Sequence, residues 1–160
     1  MKQEEKVVEI LKKLQLKLTT IESCTAGAIA ARIVDVPGAS EVFEQGFVTY
    51  SNEAKMRAVK VQEEVFEKYG AVSWECAKEM VCGGLLEAKA NIAVSATGFA
   101  GPSGGWEAPV GTVFIGCGFS EDVQVREYHL NGSRSEVREE AVSCAIRQLY
   151  DYLSEHFEHL

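Results

Sequence analysis

The sequence has few of the residues on which several common chemistries depend. Its 160 residues include three histidines, and its five cysteines include no Cys-x-x-Cys pair. Zinc-ribbon and thioredoxin-like chemistry are therefore not indicated, and the scattered, odd-numbered cysteines predict free thiols in a reducing compartment. The histidines, at His129, His156 and His159, fall near the C-terminal end. They lie away from the candidate functional segments described below, so a Ser-His-Asp triad is not supported.

Long apolar runs and basic clusters are also missing. No apolar run approaches the roughly 20 residues that span a bilayer, and the charged N-terminus lacks the layout of a secretory signal. The formal net charge is −8, and no run of lysine and arginine exceeds two residues. Nucleic-acid binding needs a basic face because phosphate contacts dominate its affinity. We therefore expect a cytoplasmic protein with no membrane association and no extended DNA or RNA binding.

What the sequence does contain is an ordinary globular composition, with 46% apolar and 25% charged residues. Such a length fits one domain with a real core, and we predict a single domain over residues 1–160. Amphipathic helical patterns alternate with short apolar runs. Strands are predicted at 18–21, 46–50, 92–96, 110–117 and 123–130, and helices at 7–14, 26–34, 51–58, before 70, 73–88 and from 133 onward. The alternation predicts an α/β fold, a three-layer α/β/α sandwich.

The first candidate functional segment, residues 22–27, lies at the junction between a predicted strand and a predicted helix. Ligands of open α/β sheets bind beyond the carboxyl ends of strands. Free N–H groups at a helix start attract anions and stabilise oxyanions. Ser23 is thus a candidate nucleophile, helix cap or phosphate contact, and Thr25 is a candidate cap. Cys24 is a second candidate nucleophile, although buried structural cysteines are the commoner case.

Residues 49–55 form a second strand-to-helix junction, from which Tyr50, Asn52 and Lys55 can project toward the same sheet edge. A lysine near a serine suits Ser-Lys catalysis if burial lowers the lysine pKa enough to free a lone pair. A nearby tyrosine can relay protons or orient the substrate. The alternative is an ordinary exposed helix lysine.

Two further segments suit anion binding. The glycine-rich loop at 97–105 follows the most buried strand, and its glycines permit close backbone approach and exposed N–H groups. It matches neither the ATPase nor the dinucleotide fingerprint, and a mobile connection has the same composition. Arg134 opens the last helix, where the helix dipole favours acidic side chains. Its charge there indicates an anionic partner such as a phosphate, with a solvated arginine as the alternative.

Taken together, the motifs resemble those of the CinA C-terminal domain family. The resemblance rests on residues 22–27 (ESCTAG), 36–40 (VPGAS), 43–55 (FEQGFVTYSNEAK), 70–73 (GAVS), 97–105 (TGFAGPSGG), 109–113 (PVGTV) and 132–138 (GSRSEVR). It covers about nine-tenths of the chain in order. It implies a mixed, mostly parallel five-stranded sheet and a homodimer, with no metal or organic cofactor.

The resemblance also implies nicotinamide mononucleotide deamidase activity, which forms nicotinate mononucleotide and ammonia in pyridine-nucleotide salvage. The family's motif residues fall on Ser23, Tyr50 and Lys55, for which we predict catalytic roles. Substrate binding is predicted for Thr25, Gly27, Asn52, Thr97, Gly98, Gly101 and Arg134. N–H groups near residues 25–26 or at Gly98 are the predicted oxyanion donors.

Two departures from the family pattern and two alternative functions stay open at this point. The loop at 106–108 is shorter and less charged than is usual in the family, which leaves the substrate affinity open. Ala26 stands where the usual motif has glycine, and its methyl group is expected to be tolerated but to narrow the substrate pocket. One alternative function is a non-catalytic nucleotide-binding accessory protein linked to competence or DNA damage. The other is an amidase for a different small carboxamide, with the same mechanism and a different pocket.

Overall fold

The computed structural model describes residues 1–157, so His159 and the last three residues of the predicted domain lie outside the described chain. Five strands are present: β1 (Leu18–Glu22), β2 (Phe43–Val48), β3 (Ile92–Gly98), β4 (Thr112–Phe119) and β5 (Asp122–His129). The helices are α1 (Gln3–Leu14), α2 (Ala28–Val34), α3 (Asn52–Val59), α4 (Glu63–Lys68), α5 (Trp74–Ala88) and α6 (Arg134–His156), with a 3₁₀ turn at Ala39–Glu41. None of the helices within residues 1–157 is both long and apolar enough to cross a membrane.

The strands form one mixed sheet in the order β2-β1-β3-β4-β5. β1 pairs in parallel with β2 and β3, whereas β4 pairs antiparallel with β3 and β5. The predicted mixed five-stranded sheet is confirmed: two of its four strand pairs are parallel, and β4 alone runs against the other four strands. Because β1, β2 and β3 run in the same direction, their carboxyl ends meet at one sheet edge. That edge carries the candidate site.

Helices cover both faces of the sheet, as the three-layer prediction requires. Apolar side chains of α1, α2 and α6 pack on one face, and those of α3, α4 and α5 pack on the other. β3 and β4 are buried almost throughout because they lie between these two layers. β5 is the more exposed edge strand that its alternating sequence predicts.

Serine side chains cap the starts of three helices. The hydroxyls of Ser51, Ser73 and Ser133 accept hydrogen bonds from backbone N–H groups in the first turns of α3, α5 and α6. Ser133 also forms a capping box with Glu136. These caps satisfy N–H donors that would otherwise lack partners at each helix start.

Two predicted boundaries are wrong in ways that matter for the site. The second helix begins at Ala28 rather than at position 26, because Ala26 (φ 48°) and Gly27 (φ 93°) adopt left-handed backbone angles. β2 ends at Val48 because its pairing with β1 ends there, at the Glu22–Val48 pair. Tyr50 therefore lies in the connection to α3 rather than in a strand.

Candidate active site

A cavity of about 250 Å³ opens at the sheet edge where the parallel strands end. Ser23 follows β1 directly, and its N–H donates to the Ala96 carbonyl of β3 at 2.9 Å. Lys55 approaches from α3 and Arg134 from the start of α6. Ligand sites of open α/β sheets lie beyond the carboxyl ends of the strands, and here segments that are far apart in the sequence meet at that edge.

The nucleophile candidate and the base candidate are in direct contact. Lys55 Nζ lies 2.9 Å from Ser23 Oγ, 2.9 Å from the Thr49 carbonyl oxygen and 3.4 Å from the Tyr50 carbonyl oxygen. A neutral amine can donate its two protons to the carbonyls and accept the Ser23 hydroxyl proton with its lone pair. The arrangement therefore suits proton removal from Ser23.

Lys55 is 1% exposed, and no described carboxylate lies within salt-bridge distance of its amine. Burial lowers the pKa of Lys55 because the charged form loses its hydration. Thiolates at Cys76 and Cys24 would oppose this shift. However, burial raises the pKa of Cys76 to about 12 and that of Cys24 to about 11, so both thiols are neutral near pH 7.

The same burial argues against Cys24 as a nucleophile. The thiolate is the reactive form of cysteine, and with a pKa raised to about 11 the Cys24 side chain is a neutral thiol at physiological pH. Both residues line the cavity, but Ser23 has the buried amine beside it, whereas the Cys24 side chain packs with the apolar core. The geometry thus favours the hydroxyl of residue 23.

Glu22 is the site-ordering residue that the sequence reasoning missed. Its fully buried carboxylate accepts hydrogen bonds from the Thr25 hydroxyl and from the N–H groups of Gly27, Ile29 and Ala30, at 2.7 to 3.2 Å. These bonds occupy the start of α2 with an internal anion, so this helix start is not open to a phosphate. A charged residue ending a buried strand, directly before a turn, was the signal available in the sequence.

The turn after Ser23 leaves two backbone donors available. Ala26 N–H donates to the Ser23 carbonyl at 3.1 Å, which removes residue 26 from the predicted oxyanion donors. The N–H groups of Cys24 and Thr25 donate no hydrogen bond to another group within residues 1–157. Unpaired donors beside a nucleophile are suited to oxyanion stabilisation.

Arg134 connects the cavity to the glycine-rich loop. Its guanidinium donates to the Gly101 carbonyl at 2.6 Å and to the Tyr50 hydroxyl at 3.0 Å. Tyr50 is 61% exposed, and within the described residues its hydroxyl contacts Arg134 rather than Ser23 or Lys55. A guanidinium has five N–H donors, so Arg134 retains donors for an anionic ligand.

Comparison with known proteins identifies the family. The sequence profile of the CinA C-terminal domain matches residues 1–153. This chain belongs to the CinA C-terminal domain family. A relative from Caldicellulosiruptor saccharolyticus is 47% identical over 144 residues, 89% of this chain and 35% of that protein. A CinA-like protein from Fusobacterium nucleatum is 45% identical over 140 residues, 87% of this chain and 34% of that protein.

Solved structures of the CinA superfamily share the fold as well. A CinA superfamily protein from Klebsiella pneumoniae matches with a TM-score of 0.92 and 33% identity, over 96% of each chain. One from Escherichia coli matches with a TM-score of 0.89 and 33% identity, over 91% of this chain and 86% of that one. The present chain spans about a third of the length of the curated relatives it matches.

In this CinA-family chain, the cavity brings together most of the residues predicted for the site. Its walls include Ser23, Tyr50, Asn52, Lys55, Thr97, Gly98, Gly101 and Arg134. The walls also contain Val72, Phe99 and Ala100, which sequence reasoning did not single out because apolar residues carry no chemical signature.

Two of the residues predicted to bind substrate, Thr25 and Gly27, do not line the cavity. Two others, Thr97 and Gly98, line it and also make contacts that hold the fold together. The Thr25 hydroxyl and the Gly27 N–H are bonded to Glu22, and neither residue is among those that line the described cavity, so the backbone N–H is the part of Thr25 that stays a candidate for the site. Thr97 donates its hydroxyl to the Ala71 carbonyl at 2.8 Å. A side chain at Gly98 would meet Val113 and the Thr112 backbone at under 3 Å, so close strand packing also requires this glycine.

The methyl group of Ala26 does not narrow the cavity. Ala26 is exposed and lies outside the described cavity wall, so the expectation of a smaller pocket is wrong. Across residues 1–157, no three His, Cys, Asp or Glu side chains are grouped so that they could hold a metal ion.

Proposed function

We propose that this CinA-family domain hydrolyses the carboxamide of nicotinamide mononucleotide to nicotinate mononucleotide and ammonia. The observation that carries the proposal is the 2.9 Å contact between Ser23 Oγ and the buried Lys55 amine, in a cavity that also holds Arg134. The choice of substrate rests on the family resemblance, and the choice of nucleophile and base rests on the geometry of the site. A homodimer in the cytoplasm, which the resemblance also implies, belongs to the same proposal.

In the first step, Ser23 Oγ attacks the carboxamide carbon while Lys55 Nζ accepts the hydroxyl proton. The tetrahedral intermediate collapses as the carbon–nitrogen bond breaks. The nitrogen takes up the proton that Lys55 removed from Ser23, passed on through Tyr50, and leaves as ammonia, so that Lys55 is a neutral amine again. An ester links Ser23 to the nicotinoyl group. Water, deprotonated by Lys55, then attacks this ester, releases the acid and returns the proton to Ser23.

Tyr50 is assigned the proton transfer from Lys55 to the leaving ammonia: its phenol gives a proton to the nitrogen and is reprotonated by the Lys55 ammonium. Arg134 donates to the phenol oxygen, so the phenolic proton is not used in that contact and is available to the substrate. The developing oxyanion is assigned to the N–H groups of Cys24 and Thr25, since one such donor contributes about 3–4 kcal/mol.

The 5′-phosphate is assigned to Arg134 and the adjacent glycine-rich loop. Glu22 already occupies the start of α2, which leaves Arg134 as the exposed cationic side chain among the residues that line the cavity. Lys55, the other basic side chain of the lining, is buried and bonded to Ser23. One end of the cavity thus suits attack on a carboxamide, and the other suits a phosphate.

The test is ammonia release from nicotinamide mononucleotide, nicotinamide riboside, nicotinamide and an unrelated carboxamide, with DNA binding titrated at physiological salt. We expect ammonia from the mononucleotide at the highest kcat/KM and no DNA affinity. Preference for another carboxamide would keep the mechanism and replace the substrate. Binding of nucleotides without ammonia release would contradict the enzymatic proposal.

A further inference from the structure

Arg138, which has no role in the proposed mechanism, donates hydrogen bonds to the turn that follows Ser23. It lies one helical turn after Arg134 on α6, and its Nε donates to the Cys24 carbonyl at 2.9 Å. A second guanidinium nitrogen lies 3.4 Å from the Thr25 carbonyl. The guanidinium of this one α6 residue therefore binds the carbonyls of both Cys24 and Thr25.

This contact fixes the direction of a backbone N–H. In a trans peptide the carbonyl and the N–H point in opposite directions, and the bond between Cys24 and Thr25 is trans. Since Arg138 holds the Cys24 carbonyl, the Thr25 N–H points away from the guanidinium. That N–H is one of the two that donate no hydrogen bond to another group within the described residues.

The contact also polarises that donor. A charged hydrogen bond to a carbonyl oxygen withdraws electron density from the peptide, which strengthens the hydrogen bond that its N–H can donate. The neighbouring peptide has the same arrangement, because the Ser23 carbonyl accepts from Ala26 N–H while Cys24 N–H stays available. Both candidate donors thus belong to peptides whose carbonyls are already bonded.

We infer that Arg138 is a positioning residue, which orients and polarises the peptide between Cys24 and Thr25 so that Thr25 N–H stabilises the oxyanion formed by attack of Ser23. The inference rests on the proposed function for its substrate. Docking of α6 does not depend on the contact, because an apolar face that includes Val137, Ala141 and Leu149 already packs in the core.

The first measurement is steady-state ammonia release by Arg138→Met, with Arg147→Met as the matched control. Arg147 is an exposed arginine further along α6 whose contacts are with Glu140 and Cys144. Loss of a whole oxyanion donor costs about 10²–10³ in kcat. Here the N–H remains but loses its restraint, so we expect kcat to fall about tenfold to a hundredfold with KM unchanged.

The second measurement does not depend on the natural substrate. An alkyl fluorophosphonate forms a bond between its phosphorus and Ser23 Oγ as fluoride leaves and the serine proton passes to Lys55. Its phosphoryl oxygen gains negative charge during the attack and needs the same donors. We expect Arg138→Met to slow labelling of Ser23, followed by intact mass, to the same extent as kcat, and Arg147→Met to label at the wild-type rate.

The outcomes separate this inference from the proposed function. Wild-type labelling without ammonia from the mononucleotide overturns the substrate, while the labelling comparison still decides the role of Arg138. Equal kcat and equal labelling in Arg138→Met and wild type overturn the inference and leave the function standing. A wild-type chain that is neither labelled nor active overturns both.

Arg138→Lys decides the matter if Arg138→Met does not fold. Its ammonium can donate to one carbonyl of the turn but lacks the planar fork. We expect folding close to that of the wild type, by circular dichroism, with kcat and labelling lowered about tenfold. Unchanged rates in Arg138→Lys and Arg138→Met alike would overturn the inference.

Discussion

At the scale of single residues, the site depends on an amine that the protein keeps away from water and from carboxylates. Lys55 is fully buried on α3, and its contacts within the described chain are one hydroxyl and two carbonyl oxygens. These neighbours hold the amine in place without adding a negative charge that would favour its protonation. A lysine in such surroundings is suited to act as a base near neutral pH.

The pH dependence of kcat/KM follows from this environment. Burial lowers the pKa of Lys55 below its ordinary value, and only the neutral amine can accept the Ser23 proton. The neutral fraction grows as pH rises, so kcat/KM should increase with pH through the pKa of Lys55 and then level off.

The profile should be measured above pH 7, where the substrate phosphate keeps a constant charge because its second pKa is about 6. Lys68→Met, which removes an exposed lysine of α4, should give the same curve as wild type. A profile that falls with pH in this range would contradict the role of Lys55.

Arg134 offers a second prediction at this scale. Arg134→Met should raise KM for nicotinamide mononucleotide about tenfold to a hundredfold, because a charge-assisted hydrogen bond contributes about 1.5–3 kcal/mol. Nicotinamide riboside has no phosphate, so its kcat/KM should change much less. Steady-state ammonia release with both substrates checks this, and an equal loss for the two would assign Arg134 to the ordering of Gly101 and Tyr50 instead.

At the scale of elements, the short helix α2 and the turn before it are organised by one carboxylate. Glu22 accepts from one hydroxyl and three backbone N–H groups. In Glu22→Gln, an amide NH₂ must face at least one of these donors, so we expect the free energy of unfolding to fall by about 1–3 kcal/mol. Urea denaturation checks this, with Glu53→Gln in the exposed first turn of α3 as the control. Equal losses in the two variants would contradict the special role of Glu22.

The same turn holds Ala26 in the left-handed region, at φ 48°. This conformation costs an alanine about 1–2 kcal/mol, whereas glycine adopts it freely at an entropic cost of about 0.5–1 kcal/mol. Ala26→Gly should therefore raise the free energy of unfolding by up to about 1 kcal/mol, measured by urea denaturation. Ala31→Gly, in the middle of α2, should lower it by about 0.5–1 kcal/mol. A lower stability for Ala26→Gly would contradict the strain argument.

At the scale of the whole molecule, the sequence was sufficient to predict the layers of the fold and the edge that carries the site. Buried strands such as β3 and capped helices such as α6 have strong local patterns, so their existence and type were predictable. The pairing direction of β4 and the start of α2 were not, because they depend on tertiary contacts. Glu22 was missed for the same reason: its partners become visible only when the turn is folded.

The most direct test of the account compares ammonia release from nicotinamide mononucleotide by the wild type, Ser23→Ala and Lys55→Met. The account predicts that each variant loses at least about a thousandfold in kcat, since nucleophile and base act as a unit. Both should keep wild-type circular dichroism, and Ser40→Ala, at an exposed serine, should keep wild-type activity. Full activity in Ser23→Ala would contradict the central claim that a hydroxyl and a buried amine in contact perform the reaction.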